Sequence, residues 1–230
     1  MNRILFSLFF VALTIVPSYV SAELGKVIQI VGDVDITSLS TGRRFIPVVG
    51  DSIVQDHKIR TGKNSFIEIL LNDGTKIYIR EVTVLSITKL KLEEADAPGR
   101  IRVLTGKVRI TIKNIFESRI LILKTPTAII GVSGTDFGVI TSRDETKVVV
   151  FDGEIELASS NRNVIKSLKL RSKEEVTIKK NRAPSKPVTV PPDLIKTWFN
   201  NYEVVDRKKI VFKGKKESGI IDLILRKKKL

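Results

Sequence analysis

The sequence predicts an all-β protein, an antiparallel β-sandwich or a solenoid-like stack of hairpins, ending in a short helix and a basic tail. Three observations carry this. Apolar and polar residues alternate strictly in several short runs, glycine-centred turns separate those runs, and no stretch before residue 190 repeats with a 3.6-residue period.

The chain opens with a segment read as an export signal rather than as part of the fold. Arg3 precedes the apolar run Ile4 to Val16, Pro17 ends it, and Val20-Ser21-Ala22 supplies small residues for cleavage after Ala22. At 1.5 Å per residue the run covers roughly 20 Å, too little for a hydrocarbon core about 30 Å thick. No later run is long and apolar enough to span. The expectation is an exported mature chain starting at Glu23, in the periplasm or secreted.

Residues 23–180 read as the β domain. In Lys107 to Lys113, Val108, Ile110 and Ile112 share one face while Lys107, Arg109, Thr111 and Lys113 share the other, as in a half-buried strand. Ile155 and Leu157, Leu168 and Leu170, and Val176 and Ile178 continue the alternation. Asp73-Gly74 and Asp152-Gly153 each sit between β-rich runs and predict two-residue hairpins of type I′. Residues 181–192 hold four prolines and read as an extended connector. Residues 193–230 are expected to form a short helix, opened by Pro191-Pro192-Asp193, and a basic segment. Leu194, Ile195, Trp198, Phe199 and Tyr202 would form the helix's apolar stripe, capping the β body or offering Trp198 to a partner.

Composition excludes much chemistry. With no cysteine there is no disulfide, thiolate site, cysteine nucleophile or lipidated N-terminus, and one histidine rules out a multi-histidine zinc site. Gly131-Val132-Ser133-Gly134 lacks the closing glycine of a nucleophile elbow, since Thr135 stands there. His57, between Asp56 and Lys58, reads as a surface histidine, and Asp33 and Asp35 as a solvated strand face. There is no P-loop, dinucleotide fingerprint or EF-hand loop. The expectation is a non-enzyme with no catalytic residue, cofactor or metal.

Charge is uneven. The net of +15 sits mostly after residue 165. Arg207, Lys208, Lys209, Lys213, Lys215, Lys216, Arg226, Lys227, Lys228 and Lys229 are offset there only by Glu217 and Asp222, and Gly219 to Leu225 is apolar. These runs suggest a final hairpin with Ile210, Phe212, Ile220 and Leu223 inward, and a surface for an anionic lipid or glycan. Nucleic acid fits the charge, but export and the lack of an aromatic-studded basic sheet argue against it.

Four stretches in order resemble the FecR domain. They are Gly50-Asp51 through Ile59-Arg60-Thr61-Gly62 to Leu71-Asn72-Asp73-Gly74-Thr75; Leu104-Thr105-Gly106-Lys107-Val108-Arg109; Thr125-Pro126-Thr127-Ala128 with Gly134-Thr135-Asp136-Phe137-Gly138-Val139; and Thr146 to Val150 leading to Gly153-Glu154-Ile155. Ser133 stands where the family usually has arginine. The resemblance implies an extracytoplasmic β domain that binds another molecule of the envelope, a protein partner first. The family's anti-sigma members also carry a cytoplasmic module and a membrane helix, which this sequence is not expected to have. Gly62, Asp73, Gly74, Gly106, Thr125, Pro126, Gly134, Thr135, Phe137 and Gly153 are read as motif positions that serve the backbone.

Overall fold

The computed structural model describes residues 22–89, 99–113, 121–196 and 198, and the backbone of 202–213 and 218–228. In chain order the strands are β1 (Glu23–Val31), β2 (Val34–Ser38), β3 (Arg44–Phe45), β4 (Ser52–Val54), β5 (His57–Thr61), β6 (Phe66–Leu71), β7 (Lys76–Ile79), β8 (Val84–Lys89), β9 (Gly99–Thr111), β10 (Leu121–Lys124), β11 (Ala128–Val132), β12 (Asp136–Thr141), β13 (Glu145–Asp152), β14 (Glu154–Ser159), β15 (Ser167–Arg171), β16 (Glu174–Lys179) and β17 (Val188–Thr189). One helical turn, α1 (Pro192–Lys196), precedes a hairpin of β18 (Tyr202–Lys213) and β19 (Ser218–Lys228).

The first seventeen strands form one continuous hydrogen-bonded sheet folded into two layers. The front layer runs β4-β1-β6-β7-β9-β12-β13-β16-β17. The back layer runs β3-β2-β5-β8-β9-β10-β11-β14-β15. Each layer lists its strands nearly in chain order. The chain advances by placing hairpins alternately on the two layers, so the sandwich is also a stack of hairpins.

Strand β9 belongs to both layers. Its first half pairs with β8 and β10 in the back, its second half with β7 and β12 in front, and Gly106 at φ 104° makes the bend. A Cβ at Gly106 would lie 2.5 Å from the Thr83 Cα, so no other residue fits without backbone movement.

Alternation buries one face of the strands that line the core. Ile69, Ile77, Ile110, Phe137 and Ile178 from the front and Ile36, Ile59, Leu85, Leu123 and Leu157 from the back form one apolar cluster. Each such burial contributes about 1.5–3 kcal/mol before chain entropy is set against it.

Several local expectations are corrected. The β9–β10 pair is parallel, so the sheet is mixed. At Asn72-Asp73-Gly74 the Gly74 amide donates to the Leu71 carbonyl at 2.9 Å, and only Gly74 has positive φ. That is a three-residue loop with glycine in the left-handed position, not a type I′ pair. Asp152-Gly153 is no hairpin at all. β13 pairs with β12 and β16 in front, β14 with β11 and β15 behind, and Gly153 is the crossing between layers. Its neighbours on both sides are strands of the right composition, which is why the sequence imitates a hairpin there.

The proline-rich connector lies on the body. Val188 and Thr189 pair with Glu175 and Glu174, and Val190 is buried. The helix is a single turn, Leu194 is exposed, and Tyr202 begins a strand, so the five-residue stripe does not form. The final hairpin exists, but its register sets Ile221 opposite Ile210 and Ile220 opposite Val211, which splits the apolar set read from the sequence. The export signal, Lys215, Lys216, Lys229 and Phe199 lie outside the described residues, apart from Ala22 itself.

Candidate interaction surfaces

The motif residues come together as the fastenings between the two layers. The chain crosses from β11 to β12 through Ser133-Gly134-Thr135, with Gly134 at φ 62°. The buried Thr135 hydroxyl lies 3.1 Å from the Ser133 carbonyl and 3.0 Å from that of Glu154, which ties this crossing to the one at Gly153. Asp136 then takes both ends of the Arg109 guanidinium, Nε donating at 2.9 Å, and the Thr111 hydroxyl at 3.2 Å. Phe137 enters the core fully buried. Two stretches of the FecR-like pattern, the one ending in Arg109 and the one holding Asp136, are thus one bidentate ion pair between neighbouring strands. The Arg109 guanidinium also lies between two aromatic faces, 5.5 Å from the Tyr78 ring centre and 5.3 Å from that of Phe151.

Thr125-Pro126-Thr127 is the turn of the β10–β11 hairpin, with the Thr125 amide donating to the Ala128 carbonyl at 2.9 Å. Pro126 presets the first turn dihedral. The Thr125, Thr127 and Thr141 hydroxyls all meet the fully buried Thr146 hydroxyl at 2.7–2.8 Å. This buried hydroxyl network joins the hairpin to the front layer. Gly62 sits where a Cβ would press the Asp33 side chain at 3.1 Å, and its amide donates to the Asp33 carbonyl.

Trp198 does not face a partner. It is 5% exposed, packed edge-on against Phe151 at 5.5 Å with Val149, Val190 and Ile195, and its carbonyl accepts from Arg80. Gly138 leaves the room for the indole, since a Cβ there would stand 2.5 Å from a ring carbon. The one-turn helix is therefore a clasp on the outer face of the front layer.

His57 is also misplaced by the sequence reading. It lies on β5 at 6% exposure, edge-on to Phe45 at 5.8 Å, with its Nδ1 3.4 Å from the Val54 amide. Burial holds its pKa below the ordinary value, against a weaker opposite pull from Asp56. Asp33 and Asp35 form no pair. Asp33 lies in the turn before β2, and Asp35 binds Arg44 at 2.9 Å.

Next to His57 lies a surface the sequence reading missed. In the loop between β3 and β4, Ile46, Val48 and Val49 are 83%, 62% and 63% exposed, and Leu39 is exposed as well. The loop is pinned. The Asp51 carboxylate accepts the Val48 amide at 2.8 Å, and the Gly50 and Val27 backbones exchange bonds with Val27 and Asp51. Ile46-Pro47-Val48-Val49 was legible as four apolar residues between turn signals, but it reads equally well as a buried strand. Among the described residues no group of three or more potential ligands could hold a metal ion, and no helix is long and apolar enough to cross a membrane.

The fold and its fastenings define a two-layer, all-β module of alternating hairpins. Residues 57–156 match the model of the family described as FecR protein, and over that span the chain carries a FecR domain. Two crystal structures of a provisionally assigned anti-sigma factor from Parabacteroides distasonis ATCC 8503 share the fold. The 1.65 Å structure aligns at TM-score 0.52 with 16% identity, covering 66% of this chain and 68% of its own. The 2.50 Å structure aligns at 0.53 with 16% identity, covering 65% and 67%. No curated protein matches by sequence.

Proposed function

We propose that this chain is an exported, non-catalytic binding module of the bacterial cell envelope that docks on another envelope protein, or senses a signal through it, by way of the loop at residues 46–49. The carrying observation is that loop: three large aliphatic side chains held out to solvent on a backbone fixed by Asp51. Rigid apolar prominences cost solubility when left uncovered and mark protein contacts more often than bare surface does. A signalling role fits the fold shared with the anti-sigma factor, and the export signal read at residues 1–22 fits the envelope. The absence of a catalytic constellation from the sequence motifs supports a binding role.

A photo-crosslinker at Val48 in intact cells tests this. The expected result is one dominant protein adduct, lost when Ile46 and Val49 are replaced by serine. A diffuse ladder, or an adduct indifferent to those changes, overturns the reading.

A second reading has its own support in the β18–β19 hairpin, whose strands carry Arg207, Lys208, Lys209 and Lys213 on one side and Arg226, Lys227 and Lys228 on the other. It makes the protein an envelope component held to anionic lipid or glycan by this segment. Replacing Lys213, Lys215, Lys216 and Lys227 to Lys229 with glutamine should then abolish co-sedimentation with the envelope at low salt. Wild-type binding should fall steeply as salt screens the charges. Association unchanged by the substitutions would end this reading.

A further inference from the structure

Where β9 bends at Gly106 it leaves a cavity of about 370 Å³, walled by Lys107, the turn residues Arg80, Glu81 and Val82, and Ile140 at the end of β12. That size lies within the range of small-molecule pockets. The Lys107 ammonium rests 4.1 Å from the centre of the Trp198 ring, and among the described residues it meets no hydrogen-bond acceptor. A half-buried ammonium carries three donors, so an oxygen ligand suits this position. The carboxylate in the wall, Glu81, accepts the Asn64 amide at 2.8 Å. Burial first, then the Arg80 charge, lower the Lys107 pKa to about 8, while Glu81 pulls it up less strongly. Burial is thus the larger cause, and an acceptor at the ammonium would offset it. Beside the cations, Val82 and Ile140 are both exposed and aliphatic.

We propose that this cavity binds a small organic carboxylate, its oxygens on the Lys107 Nζ and its aliphatic body against Val82 and Ile140. The Lys107 ammonium supplies one charge for one carboxylate, and the aliphatic pair gives no advantage to a bare inorganic anion. The site shares no residue with the loop at 46–49, so the two proposals stand or fall separately.

Trp198 is the only tryptophan, which makes its emission a local reporter. Hexanoate titrated into the purified protein at constant ionic strength should change that emission saturably. The midpoint should lie at about 1 mM, as suits a ligand of this size. Acetate and inorganic phosphate should bind about tenfold more weakly or not at all, because neither fills the aliphatic wall. Lys107→Met, which keeps the apolar stem on the indole, should abolish the response, and Ile140→Ser should weaken it for hexanoate alone. A measurement without variants supports these: acetylation of Lys107 followed by mass spectrometry should slow in saturating hexanoate and not in sodium chloride. No saturable change with unprotected Lys107, an equal response to chloride, or phosphate binding as tightly as hexanoate would each overturn the proposal.

Discussion

Val82 holds a backbone conformation that its side chain resists. It is β-branched and sits at φ 52°, while its amide donates to the Gly62 carbonyl at 3.0 Å, which fixes it there. A left-handed conformation costs an ordinary L-residue roughly 1–2 kcal/mol, and asparagine tolerates it better. Val82→Asn should therefore raise stability by about 1 kcal/mol, seen as a higher urea midpoint at unchanged slope. A lower midpoint would mean that Val82's aliphatic contacts outweigh its strain. His57 gives a pH dependence. Its pKa in the folded state lies below the ordinary 6.5, so as pH falls beneath that value the unfolded chain takes up a proton that the folded one refuses. Stability is complete above pH 6.5 and declines as the pH drops toward the folded-state pKa. His57→Asn should flatten that decline when urea midpoints are compared across the range. An equal slope in both proteins would assign it to carboxylates instead. Nothing next to His57 in sequence announced this burial. Asp56 and Lys58 look like a polar turn, yet the imidazole is buried, with Phe45 packed edge-on against it.

Strands were legible and their partners were not. Val108 and Ile110, Ile155 and Leu157, and Val176 and Ile178 are buried as their alternation demands. Alternation says which face is apolar, but it cannot say which layer a strand joins. Hence Asp152-Gly153 imitates a hairpin while marking a crossing, and the bend of β9 at Gly106 was invisible until both of its sets of partners were known. The fastenings follow the same rule. Arg109 and Asp136 are each visible as motif residues, yet their pairing depends on β9 and β12 being neighbours. The apolar loop at 46–49 and the Lys107 cavity depend on exposure, which four aliphatic residues or a lone lysine do not declare. One element-level consequence is testable through the clasp. Gly138→Ala places a methyl group inside the Trp198 ring, which is seated among Val149, Phe151, Val190 and Ile195 and not in the main core. Trp198 should leave its site, with a red-shifted emission and local loss of about 2–3 kcal/mol of burial. Far-UV circular dichroism should stay unchanged. A blue emission retained in the variant would show that β12 gives way before the clasp does.

For the molecule as a whole, stacking and closure have opposite consequences for cooperativity. A stack of hairpins with only nearest-neighbour contacts would melt piecemeal, from its ends inward. Here, however, the apolar residues of both layers form one cluster, and β9 is hydrogen-bonded within each layer at once. The buried hydroxyls around Thr146 and the Thr135 latch add further ties between layers, far from β9 in sequence. Loss of either layer would expose the inner face of the other, so partial unfolding gains little entropy for the apolar area it uncovers. The body should therefore unfold in urea as one transition, with far-UV circular dichroism and near-UV tyrosine signals coincident. Refolding should be slow, in milliseconds to seconds, because half of the pairings in the body skip at least one strand, β1 with β6 and β11 with β14 among them. Trp198 emission is the informative exception. The clasp rests on the outer face of the front layer and buries nothing of the main core, so its signal should change at lower urea than the rest. Two separated transitions within the circular dichroism itself would show that the layers are independent and that β9 links them without coupling them.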